Sequence, residues 1–114
     1  MAETRPWGFY ESVFTVPNVS QVKSIVVFPG KRLSLQTHKH RSEHWVIISG
    51  TGRVQVGKDF HVLTKNQHVY IPKETLHRIE NIDSVENLHF IETQVGDYLG
   101  EDDITRYEDD FGRS

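Results

Sequence analysis

The chain has 114 residues with 36% hydrophobic and 11% aromatic content, enough for one domain with its own core and too little for a second catalytic module. A net charge of −3 with both signs interspersed argues against a nucleic-acid-binding stripe, and the absence of cysteine excludes disulfides, thiolate metal sites and cysteine-based catalysis. The first residues lack the apolar run of a signal peptide and no segment approaches transmembrane length, so a cytoplasmic protein without membrane contact is expected.

The pattern along the chain is rich in short strands. Residues 1–21 read as an N-terminal arm. Val22 to Phe28 is dense in β-branched residues and stops at Pro29-Gly30. Leu33 to Thr37 leads into a histidine-rich run, and Glu43 to Ser49 continues as a strand until Gly50-Thr51-Gly52 breaks it. Arg53 to Val56 and Phe60 to Leu63 flank Gly57-Lys58-Asp59, a hairpin turn by composition. Val69 to Ile71 ends at Pro72, His77 to Ile82 follows, and Asn87 to Val95 forms a long final strand. The motif core thus covers about residues 22–95, and the acidic tail 96–114 reads as a short helix or an extended, solvated arm. Many short strands punctuated by Gly and Pro indicate one all-β domain, a sandwich or a barrel.

Four histidines carry the chemistry. His38, His40 and His44 stand at even spacings, which on an unbroken strand project to one face, and His77 opens a second strand. Neutral imidazole is a common ligand for divalent transition metals, so four converging rings predict a metal site. Gln36 shares the parity of His38 and is expected beside the metal. Glu43 has the opposite parity to His44 and is expected to point away unless a bulge intervenes. His61, His68 and His89 have no such pattern and read as hydrogen-bonding or exposed side chains. Trp7, Trp45, Tyr70 and Phe90 read as packing.

The segments Gly30–His38–His40–His44–Gly50 and Pro72–His77–Asn81 resemble the paired motifs of the cupin superfamily, with Asn66 and Glu74 standing where that pattern has glycines. The resemblance narrows further through Arg5-Pro6-Trp7-Gly8, Ser34-Leu35-Gln36, His40 to Trp45, His77 to Asn81 and Tyr98 to Ile104. In this order they are similar to the type II phosphomannose isomerase domain of bifunctional mannose-1-phosphate guanylyltransferase/phosphomannose isomerases. The resemblance implies a single-domain cupin over residues 1–114, a double-stranded β-helix or small jelly-roll barrel. It also implies a metal-dependent isomerase interconverting mannose-6-phosphate and fructose-6-phosphate; the Gly-rich nucleotidyltransferase signature is absent from these residues, so guanylyl transfer is not expected of them.

Such a reaction needs a Lewis acid for the developing oxygen charge and a base for the carbon-bound proton. His38, His40, His44 and His77 are assigned to one divalent ion, with Zn, Co, Mn, Ni or Fe suited to nitrogen ligands. Glu43, Gln36 and Arg41 are the catalytic candidates, and Glu92 is a further possible base. Lys23, Arg32 and Arg78 are the candidates for the sugar phosphate, while Arg5 and Arg106 lie in segments that resemble family signatures and would either close over the site or support the fold. A homodimer is expected by the resemblance. A metal-dependent cupin dioxygenase and a non-catalytic sugar-phosphate-binding cupin are the competing functions.

Overall fold

A computed structural model describes residues 2–112. Eleven strands make up the regular structure: β1 (Glu3–Arg5), β2 (Gly8–Val16), β3 (Ser20–Val27), β4 (Leu35–Thr37), β5 (Arg41–Ser49), β6 (Gly52–Val56), β7 (Asp59–Leu63), β8 (His68–Ile71), β9 (His77–Asn81), β10 (Leu88–Gly96) and β11 (Thr105–Glu108). A six-stranded sheet in the order β1-β2-β3-β10-β5-β8 faces a five-stranded sheet in the order β11-β4-β9-β6-β7. Every pairing is antiparallel. This is the double-stranded β-helix that the cupin resemblance implies. No helix occurs among the described residues, so none is long and apolar enough to cross a membrane.

Both chain ends are more structured than their composition suggested. The segment read as an arm contributes β1 and β2, and β2 pairs with β3 along its whole length, with a bulge between Ser12 and Phe14. That bulge and the exposure of Val13 and Phe14 hide the alternation by which a strand is read. The acidic tail forms β11 against β4. Its carboxylates are tethers: Asp110 pairs with both Arg32 Nε and Nη2 at 2.8 Å, and Glu108 accepts from Arg78 Nη1 at 3.0 Å.

Alternation along each strand sends one set of side chains into the barrel. At one end these are apolar: Ile25 and Val27 on β3, Trp45 and Ile47 on β5, Val54 on β6, Ile79 on β9, and Leu88 and Phe90 on β10, all buried. Toward the other end the same strands present Lys23, Arg41, Glu43, His77, Glu92 and Gln94, also buried. Register puts these polar residues together, since Glu92 lies opposite both Lys23 and Trp45, and Gln94 opposite Glu43. Asn81 belongs to the apolar end and has a structural role there. Its amide donates to the carbonyls of Val27 (2.9 Å) and Glu86 (2.8 Å), tying β9 to the facing sheet.

Candidate metal centre

The placement of the histidines is decided by a break in the chain. β4 ends at Thr37 and β5 begins at Arg41, with a bend at Lys39-His40 between them. The backbone N–H groups of these two residues turn away from any ladder and donate to Asp103 Oδ1 and Oδ2, each at 2.9 Å. Gly96 makes room for the bend, because a Cβ there would lie 2.1 Å from the His40 carbonyl oxygen. The bend shifts the alternation by one residue, which exchanges the two faces. Residues 36 and 38 point inward before it, and 41, 43, 45 and 47 after it.

Two of the four expected ligands are therefore absent from the interior. His40 is 52% exposed, 3.8 Å from Asp97, and His44 lies on the outer face against the Tyr70 ring at a centroid distance of 4.7 Å. Glu43, expected to point away, is instead 1% exposed inside the barrel. The structure brings together His38, His77 and Glu43. His38 Nε2 stands 3.2 Å from Glu43 Oε2, His77 Nε2 stands 3.9 Å from Glu43 Oε1, and one ligand atom from each residue lies within 4.8 Å of the others.

The two rings are prepared as ligands by their other nitrogen. His38 Nδ1 is 2.6 Å from the Asp103 carbonyl and His77 Nδ1 is 2.8 Å from that of Thr75, so both carry their proton on Nδ1 and turn an Nε2 lone pair toward Glu43. Burial pushes the His38 imidazolium down to about 4, helped by the Arg41 guanidinium and by His77, and burial lowers His77 as well. Two neutral imidazoles and a carboxylate aimed at one point make an N₂O set that suits Zn, Co, Ni, Fe or Mn, so these residues fit a divalent ion. Arg41 meets the same donors from the cavity side. Its Nε donates to Glu43 Oε2 at 2.8 Å and its Nη2 lies 3.3 Å from His38 Nε2. This side chain must give way for an ion to reach all three.

The loop before β9 supports the site from below. Glu74 donates its backbone N–H to the His38 carbonyl at 2.8 Å and adopts φ +62°, while Asn66 adopts φ +72°. These are the two positions where the cupin pattern has glycine. Both residues take the left-handed backbone that glycine favours, readily for Asn and at a cost for Glu.

A second carboxyl shares the centre. Trp45 Nε1 donates to both Glu43 Oε1 (2.9 Å) and Glu92 Oε1 (3.1 Å), and Gln94 Nε2 donates to Glu92 Oε2 at 2.7 Å. Burial, reinforced by the neighbouring Glu43 carboxylate, pushes Glu92 up to about 7 despite Arg41 and Lys23 nearby. His38, Arg41 and Glu92 open onto a cavity of about 160 Å³ whose wall also includes Gln36, Lys23, Arg5, Arg106 and Glu101, and Glu43 and His77 reach it through their contacts with His38 and Arg41. Gln36 bonds through its amide to Ser34 and sits opposite His77 in the register. Arg32 and Arg78 are elsewhere. They point to the outer side of the five-stranded sheet beside Arg53 and Glu80, because Arg78 alternates with the inward His77 and Ile79. Of the phosphate candidates only Lys23 faces the cavity. Arg5 and Arg106, given a lesser part by the sequence, face it too.

Comparison with known proteins bears on this geometry. Residues 2–109 match the family model "Mannose-6-phosphate isomerase C-terminal". The chain is 50% identical over 110 residues to the xanthan biosynthesis protein XanB of Xanthomonas campestris, covering 96% of this chain and 23% of XanB. It is 51% identical over 110 residues to the alginate biosynthesis protein AlgA of Pseudomonas syringae, covering 96% of this chain and 22% of AlgA. It thus spans under a quarter of the length of these relatives. Among solved structures, the cupin domain of Schizosaccharomyces pombe Cnp3 superposes with a TM-score of 0.78 at 18% identity, over 85% of this chain and 69% of that one, which speaks for the fold alone. With its whole motif core matched and its strands wound as a cupin, the chain belongs to the mannose-6-phosphate isomerase C-terminal family.

Proposed function

We propose that this chain is a metal-dependent aldose–ketose isomerase interconverting mannose-6-phosphate and fructose-6-phosphate. The observation that carries this reading is the convergence of His38, His77 and Glu43 beneath a cavity lined by Arg5, Lys23 and Arg106. His38, His77 and Glu43 would hold the ion, which when bound supplies a Lewis acid for charge developing on the sugar oxygens. Glu92 is the buried carboxyl facing the cavity, and it is assigned the proton transfer: it takes the proton from C2 and returns it to C1. The C1 carbonyl oxygen gains a proton and the C2 hydroxyl loses one, so the sugar passes through an enediol with no net change in atoms. Gln36 is placed to hydrogen-bond a sugar hydroxyl. Arg41, released from Glu43 and His38 when the ion binds, has its donors free for the sugar oxygens. A phosphate dianion suits the cations at the mouth.

The test is a coupled assay of fructose-6-phosphate formation on chelated protein reloaded with Zn, Co, Mn, Ni or Fe. Turnover that appears on reloading and falls at least about 100-fold in Glu92→Gln supports the assignment. A folded, metal-loaded sample that binds the sugar phosphate without converting it would make the chain a binding cupin. Oxygen consumption without isomerisation would make it a dioxygenase.

We infer a homodimer from the outer face of the six-stranded sheet. At the outward positions of β2, β3, β10, β5 and β8, Glu11 is the one Asp, Glu, Lys or Arg, and Phe14, Val46, Ile48, Tyr70 and Val95 are each at least 39% exposed. An antiparallel sheet facing water normally carries polar residues there. Five strands over about seven residues give a footprint of roughly 500 Å² per copy, the lower bound for a specific interface between two chains. A face on which Glu11 is the one residue of these four types lets two copies of a negatively charged chain meet with little repulsion. Light scattering should give twice 13.2 kDa, reduced to the monomer by Val46→Glu. A monomeric wild type would contradict the dimer and leave this face for a different protein.

A further inference from the structure

Lys23 is an unusual cation. Its side chain is 5% exposed, it projects from the middle of β3 into the barrel, and its ammonium lies 4.4 Å from the centre of the Tyr10 ring. A buried ammonium requires compensation, and it has three N–H donors to satisfy. Among the described residues, the hydrogen-bond acceptor found for it is Glu101. Glu101 is a different kind of residue, since its side chain is 61% exposed and it sits in the turn that precedes β11. The pair therefore joins a cation fixed in the cavity wall to an anion reaching in from the solvent side.

The other buried cations are held differently. Arg41 pairs with Glu43, and both are buried in neighbouring positions of one strand. Arg78 also meets an exposed carboxylate, Glu108, but its Nε donates to the Leu33 carbonyl as well. Lys23 has no comparable backbone anchor among the described residues. Glu92 lies opposite it on β10, and the carboxylate that accepts its hydrogen bond is carried by a turn and can leave without disturbing a strand.

We propose that Glu101 is an internal substitute for the phosphate of the ligand: its carboxylate occupies the Lys23 ammonium until a phosphate displaces it and takes Lys23 and Arg5 as its cations. This deepens the sugar-phosphate reading of the cavity and rests on it for the identity of the ligand. Arg5 is suited to the part, since it lines the same cavity and donates to the Tyr10 hydroxyl at 3.2 Å, on the ring that Lys23 covers. Displacement also reaches the metal centre. Two residues beyond Glu101, Asp103 holds His38 Nδ1 through its carbonyl and the Lys39-His40 bend through its carboxylate. One short segment thus carries both the phosphate substitute and the support of a metal ligand. An unphosphorylated sugar would leave Glu101 in place, so the exchange selects for phosphate-bearing ligands.

The experiment is calorimetric titration of the full chain with inorganic phosphate, comparing wild type, Glu101→Gln and Lys23→Met at one ionic strength. Glu101 is exposed enough that its substitution leaves the fold intact, which circular dichroism verifies. Removing the competing carboxylate should tighten phosphate binding about fivefold, the size of a partly exposed ion pair, and Lys23→Met should abolish it. Equal affinity of wild type and Glu101→Gln, or binding that survives Lys23→Met, would overturn the proposal. Failure of the isomerase reading appears separately, as phosphate binding that obeys Glu101 in a protein that does not convert mannose-6-phosphate.

Discussion

Along β10, Leu88 and Phe90 are followed by Glu92 and Gln94. Along β5, Ile47 and Trp45 are preceded by Glu43 and Arg41. The same strands therefore wall an apolar half and a polar half of one barrel, and both halves are equally buried. Burial in the apolar half stabilises the fold, roughly 1.5–3 kcal/mol for each large side chain removed from water. Burial in the polar half does the reverse, since each charge there must be paired to be tolerated. Arg41 with Glu43, Lys23 with Glu101, and the Trp45 indole N–H shared by two carboxylates supply that pairing. The first half makes the barrel. The second uses its stability to hold groups in unfavourable states, a neutral His38 and a Glu92 that keeps its proton to about 7.

Substitutions in the two halves should differ in sign as well as size. The largest loss of stability is expected at Phe90, fully buried with its ring 5.1 Å from that of Trp45. Phe90→Ala should cost about 3–5 kcal/mol in urea unfolding. Two residues along the same strand, Glu92→Gln should behave oppositely. A carboxyl raised in the folded state contributes stability that is complete below its unfolded value near 4.5 and is lost as pH rises through about 7. At pH 8 the buried Glu92 is a net cost, so Glu92→Gln should melt higher than wild type there and show no gain at pH 5.

His38 has the other sign. Its imidazole is lowered to about 4, so its contribution is present above the ordinary value of 6.5 and is lost as pH falls through about 4. Arg41, Glu43, His77, Glu92 and Asp103 surround it. In wild type the protonation of Glu92 offsets part of this loss between pH 7 and 4.5. Melting curves of Glu92→Gln should consequently fall more steeply with acid than those of wild type, and parallel curves would remove either group from its assigned state. The smallest effect lies outside both halves. Glu74→Gly at φ +62° should raise stability by about 0.5 kcal/mol, the steric relief being partly offset by glycine's greater entropy in the unfolded chain.

Much of the apolar half was legible because its signals are local. The alternation of Asn87 to Val95 and the turn after Val56 are set by neighbours in sequence, and the hairpin forms there with Asp59, read as part of the turn, opening its second strand. His77 was legible for the same reason, standing just after Pro72 at the start of a strand. The directions of His40, His44 and Glu43 differ from the expected parity for a specific reason. Trp45-Val46-Ile47-Ile48 is apolar on both faces, because the outer face is apolar too, so the run does not say which parity points inward. What decides it is the bend at Lys39-His40, made by Asp103 from more than sixty residues away. Arg32 and Arg78 stand near the motifs in sequence, but their side chains lie on the outer side of the five-stranded sheet. Alternation against His77 would have excluded Arg78.

The direct test of the whole account is calorimetric titration of chelated protein with Zn²⁺, comparing two double variants with wild type. His38→Ala/His77→Ala should lose at least about 100-fold in affinity, beyond what removal of a supporting group alone does. His40→Ala/His44→Ala should bind one ion per chain as wild type does. The reverse result, with affinity lost in the second variant and kept in the first, would contradict the centre built from His38, Glu43 and His77.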